Sequence, residues 1–124
     1  MEWKVIQIKE TSGRNVPFVS IGRGQMDFNA VACDLVGDTG QFKYAQLLEN
    51  SEKGKPIIAV RFLENVAMDS IPIKRKMQNG KTIKGMTVVN KGTISDVFGK
   101  RGSKDGMVRY SVELVEPNVL MIID

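Results

Sequence analysis

The stretch RGQMDFNAVACDLVG, Arg23–Gly37, decides the reading of this chain, because Lys84–Gly99 reads KGMTVVNKGTISDVFG. Each copy opens on a cation and a glycine, runs through an extended mixed segment and reaches an asparagine. Each then closes on Asp, two apolar residues and Gly. Asn29 and Asn90 are favourable helix N-caps, since the side-chain oxygen can accept from the first free helix amides. Gly37 and Gly99 follow the short segments Ala30–Val36 and Lys91–Phe98, and glycine suits the position after a helix. Ala32, Leu35 and Val36 in the first segment, and Ile94, Val97 and Phe98 in the second, have the spacing of one helix face. Helices this short are held only by packing on a sheet.

Extended segments surround both copies. WKVIQIK, Trp3–Lys9, alternates, and the turn-rich ETSGRN leads from it to VPFVSIG. FKYAQLLE alternates with Phe42, Tyr44 and Leu48 on one side, and PIIAVRFLE follows the loop NSEKGK. In the second half, IPIKRKMQ and KTIKGMTVV flank Asn79-Gly80, the strongest short hairpin signal. MVRYSVELV places Val108, Tyr110, Val112 and Leu114 on one side, and VLMIID closes the chain. KYAQLL from Lys43 also matches RYSVEL from Arg109. The expected fold is mainly β (α+β): one domain, 1–124, of two β-β-α-β-β pseudo-repeats, 1–64 and 70–124. Together they would form a small closed or partly open β-barrel with two short helices, which removes most exposed sheet edges. Leu35, Val36, Val97, Phe98, Tyr44 and Tyr110 are predicted core.

Composition narrows the function classes. The 124 residues carry 42% hydrophobic and 26% charged residues, as in ordinary globular domains. The N-terminal segment lacks a signal-peptide apolar core, and no run reaches membrane-span length, so the expected location is cytoplasmic with no membrane partner. The one cysteine, Cys33, permits no internal disulfide and reads as a buried, inert thiol. The chain has no histidine, the usual proton shuttle and commonest metal ligand. No cofactor or metal is implied, and a non-enzymatic role is expected. Asp34 and Asp96 hold equivalent places near their helix ends, where bonding to backbone is the expected role.

Charge is unevenly spread. Net charge is +4, yet Ile71–Arg109 carries ten Lys/Arg against two acids, Asp96 and Asp105. Such asymmetry suggests an anionic partner. In the hairpin IPIKRKMQNGKTIKGM, a two-residue turn at Asn79-Gly80 would set Arg75 directly opposite Lys84, with Lys74, Lys76 and Lys81 on the other face. Opposed cations destabilise a hairpin by roughly 0.2–1 kcal/mol, which makes sense where a phosphate backbone sits between them. The bland alternative is an edge protected by lysines. GKRGSKDG, Gly99–Gly106, is a second candidate, with Lys100, Arg101 and Lys104 beside three glycines able to form an anion-cupping nest. There the cations could equally complement a helix C-terminus.

The order IGRGQMDFN, short helix, FKYAQLLENSEKGKPIIAVRF resembles AbrB-like swapped-hairpin barrels and their cradle-loop relatives. In the MraZ-like branch one chain carries both units. RGQMDFNAVACDLVG also resembles small PUA-like accessory proteins of Gram-positive plasmids and phages, some thought to bind RNA. Asn29 and Asn90 stand where the AbrB-like strand usually ends in Ile-Pro. Asp34 and Asp96 are followed four residues on by Asp38 and Lys100, where MraZ-like repeats carry Arg. Residues and resemblance lead to one expectation: a nucleic-acid-binding (RNA or DNA) regulatory or accessory protein of a bacterium or its mobile elements. The alternative is a protein-interaction module or inhibitor whose basic face meets an acidic partner.

Overall fold

A computed structural model describes residues 2–6, 16–52, 55–99 and 106–123, with the side chains of Glu52, Lys55, Lys76 and Gln78 outside that description. The elements run β1 (Phe18–Gly22), β2 (Gln25–Phe28), α1 (Ala30–Leu35), β3 (Tyr44–Glu52) and β4 (Lys55–Leu63). They repeat as β5 (Ile71–Gln78), β6 (Lys81–Val89), α2 (Lys91–Phe98), β7 (Val108–Glu116) and β8 (Val119–Ile123). The strands form a closed barrel in the order β1-β2-β6-β5-β3-β4-β8-β7, every neighbouring pair antiparallel. Replacing the first five elements by the second five maps this pattern onto itself. The hairpins β1–β2 and β3–β4 become β5–β6 and β7–β8, β1–β7 becomes β5–β3, and β2–β6 and β4–β8 map to themselves.

The first half differs from the sequence expectation at its N-terminal strand. Residues 2–6 have no regular structure, and the remainder of Trp3–Lys9 lies outside the described residues. The first two strands are instead a hairpin within Phe18–Phe28, turned by Arg23 and Gly24 at φ 53° and 73°. Positive φ at both central residues matches the twist of the flanking strands. Arg-Gly signals that turn far more weakly than Asn-Gly, so the sequence reads through it as one strand.

Inward-facing residues close the core. Val19, Ile21, Met26, Phe28, Ala45, Val60, Phe62, Met86, Val88 and Leu120 are at most 1% exposed. Phe28 meets Phe62 edge to face at 5.1 Å between ring centroids, a geometry worth about 0.5–1.5 kcal/mol beyond burial. Val36, Phe98 and Tyr110 are buried and Val97 packs against the core, as the sequence implies. Two core assignments are corrected. Leu35 is 36% exposed, and Cys33 takes the inward place on α1. Tyr44 is only half-buried, and Ala45 and Leu47 take the inward places on β3. Phe42 lies before the strand, and counting by twos from it reaches Tyr44 and Leu48. The inward residues Ala45 and Leu47 are one residue off that count, and a one-residue slip exchanges the two faces of a strand.

The helices bridge strand ends on this frame. Asn29 Oδ1 accepts from Ala32 N at 3.0 Å, and Asn90 Oδ1 accepts from Thr93 N at 3.1 Å. Asn29 is the more heavily used cap, since Oδ1 also accepts from Phe18 N at 3.0 Å while Nδ2 donates to the Val16 carbonyl at 2.7 Å. Gly37 adopts φ 66°, the left-handed conformation glycine tolerates after a helix.

Candidate nucleic-acid interface

The two asparagine caps give the halves a common reference. Four residues before Asn29 stands Gln25, paired with Gly22 across the two-residue turn Arg23–Gly24. Four residues before Asn90 stands Met86, paired with Arg75. Ten residues, 76–85, therefore occupy the place that two occupy in the first half. The second-half hairpin is extended by eight residues, and the extension carries Lys76, Lys81 and Lys84 around Asn79-Gly80. Asn79 and Gly80 have φ 53° and 77°, the conformation the sequence implies, and Gln78 pairs with Lys81 and Met77 with Thr82 as expected.

Below those two pairs the expected register fails. A bulge lies between Met77 and Arg75, so Arg75 faces Met86 and not Lys84. Two extra residues are absorbed on β6 around Gly85, whose φ of 140° suits glycine alone. The cations thought to repel one another each meet an acid. Arg75 binds Asp38 through both guanidinium nitrogens, at 2.5 and 3.1 Å, and donates to the Phe42 carbonyl. Lys84 pairs with Asp34 on α1. Asp34 is thus an ion-pair partner of the hairpin and not a backbone acceptor, the role expected from sequence. These acids lie 50 and 37 residues away in sequence, which is why no local pattern shows them.

The two pairs differ in character. Asp38 is the one buried charged residue among the described side chains, 6% exposed. Burial alone would push its carboxyl up. The hydrogen bond from Arg75, the Gly40 amide, the Arg75 charge and backbone at Phe42 together hold it below its ordinary value. Lys84 is pushed up by its hydrogen bond to Asp34 and by the Asp34 charge, yet more than half of each side chain stays in water. Such exposed pairs contribute little.

The candidate cations therefore separate by role. Arg75 is a structural anchor at the root of the hairpin. Lys84 is exposed and exchangeable. Lys74 and Lys81 are exposed, with no ion-pair partner among the described residues. Lys76 lies on β5 with its side chain outside the description, and Lys100, Arg101 and Lys104 lie outside the described residues altogether. The flanks of that second segment stand away from the hairpin tip. Gly106 and Met107 pack against Gly22, beside the β1–β2 turn, whereas Asn79-Gly80 lies at the opposite strand ends with α1. Cys33 is fully buried, and the described residues contain no cluster of three or more potential metal ligands. No described helix is long and apolar enough to cross a membrane.

The fold and site thus define a two-fold-patterned, eight-stranded barrel with one extended cationic hairpin. No family model, curated protein or solved structure matches the chain.

Proposed function

We propose that this is a non-enzymatic nucleic-acid-binding protein, regulatory or accessory in role, that holds phosphate backbone through the β5–β6 hairpin. One observation carries the reading: this hairpin is eight residues longer than its counterpart in the first half, and the extension is cationic, with no acid anywhere between Ile71 and Val89. A two-stranded ribbon is narrow enough to follow a nucleic-acid groove or backbone. The bulge and the Arg75–Asp38 pair fix its root, so the exposed tip is presented without a large ordering cost. Lys74 and Lys81 lead the contact, Lys84 can exchange Asp34 for phosphate, and Lys76 stands between them in sequence. Lys100, Arg101 and Lys104 would serve a second contact. The resemblance to small accessory proteins, some thought to bind RNA, agrees with this reading.

The test is a salt titration of binding to several unrelated sequences. Replacing Lys74 and Lys81 together by Ala should weaken binding uniformly, because phosphate contacts carry no base preference. The slope of log affinity against log salt should flatten by about two. Unchanged affinity and slope, with the fold intact, would reject the hairpin as the contact.

A further inference from the structure

Two apolar features of this chain are left open in a single copy. The first is the N-terminal segment, where Trp3, Val5 and Ile6 are exposed by 88%, 95% and 86%. Three large apolar side chains within four residues at that exposure form a patch that a monomer in water does not favour. The second lies on the outside of the barrel. β4 and β8, PIIAVRFL and VLMII, are apolar along nearly their whole length. The solvated face of an antiparallel sheet is ordinarily polar, so these runs leave an apolar outer face without the usual alternation. Ile58, Val60 and Phe62 supply the inner face of β4. The outward Leu48, Ile57, Ala59 and Met121, with Val119, instead floor a groove of about 440 Å³. Glu49, Glu116 and Arg61 also line it.

We propose that the groove on β3, β4 and β8 receives the N-terminal segment of a second copy of this chain, so that the protein forms a dimer by reciprocal exchange. In one protomer both features stay open: its segment stands in solvent and its groove is unfilled. Exchange closes both at once. It also gives two identical contacts related by a two-fold axis, the commonest way soluble chains associate. Charge supports the match. Segment residues Glu2 and Lys4 bracket Trp3 and can meet Arg61 and the glutamates Glu49 and Glu116. Trp3 is the anchor, a large amphipathic ring that suits an apolar floor with a polar rim.

Trp3 is the chain's only tryptophan, so its fluorescence reports the contact directly. As protein concentration rises, the mass measured by light scattering should double, and the emission should shift to shorter wavelength over the same range. Trp3→Ala should weaken dimerisation roughly thirty-fold or more, the loss expected of a buried aromatic anchor. Lys4→Glu should weaken it about two- to five-fold, as a rim ion pair predicts, and Glu49→Lys with Glu116→Lys should recover that loss. These are exposed positions, so folding is not at stake in the charge exchange. Three results would overturn the proposal. They are a monomer whose Trp3 emission stays that of a water-exposed indole, a blue-shifted emission independent of concentration (the segment on its own groove), and a dimer indifferent to Trp3→Ala. None of these bears on binding through Lys74 and Lys81, so the two readings fail separately.

Discussion

Arg75→Ala is the substitution that most sharply separates a hairpin anchored by structure from one poised for phosphate. The change removes two hydrogen bonds to Asp38 and one to the Phe42 carbonyl. Asp38, with only 4% of its side chain exposed, keeps the Gly40 amide at 3.0 Å and the backbone at Phe42. Removing one partner of a buried pair costs about 3–5 kcal/mol, because the remaining charge is stranded away from water. Arg75 itself is 23% exposed, so water can enter the gap, and the lower end of that range, about 3 kcal/mol, is the expected loss. With a urea m-value of roughly 1–3 kcal/mol/M, the unfolding midpoint should fall by about 1–3 M. The pH dependence gives a second reading of the same pair. In the native protein Asp38 is held below its ordinary value, so its contribution is present above the unfolded pKa of about 3.9 and is lost as pH falls through the lower folded value. In Arg75→Ala burial is left to act with far less opposition. The Asp38 pKa should then rise, and stability from this group should decline as pH increases past about 4. An unfolding free energy within about 0.5 kcal/mol of the parent, the range of an ordinary surface change, would refute the anchoring role.

The two helix caps should not be equivalent. Asn90→Ala should cost about 1 kcal/mol, while Asn29→Ala, which also loses the bonds to Phe18 and Val16, should cost about 2 kcal/mol or more, read by denaturant titration. Phe98→Ala should cost about 3–5 kcal/mol, since the ring is 3% exposed and packs 6.3 Å from Tyr110 between centroids; an unchanged unfolding midpoint would mean α2 does not hold the core.

Much of the barrel is legible in the sequence because its determinants are local. Asn29 and Asn90 mark the two helix starts by their own side chains, Asn79-Gly80 fixes a hairpin within four residues, and Tyr110 and Val112 show their inward face by simple alternation. The candidate site is legible only as a concentration of positive charge. Which cations are available is decided elsewhere. One bulge at Gly85 changes the partner of Arg75, and closure of the barrel brings Asp34 and Asp38 from the first half onto the hairpin of the second. The same holds for Tyr44 and Leu35, whose faces depend on where β3 begins and on how α1 sits against the sheet. Propensity, caps and tight turns act over a few residues and so are written in the chain. Register, the choice between inner and outer face, and the pairing of charges depend on what the closed barrel places alongside, and only the tertiary structure decides them.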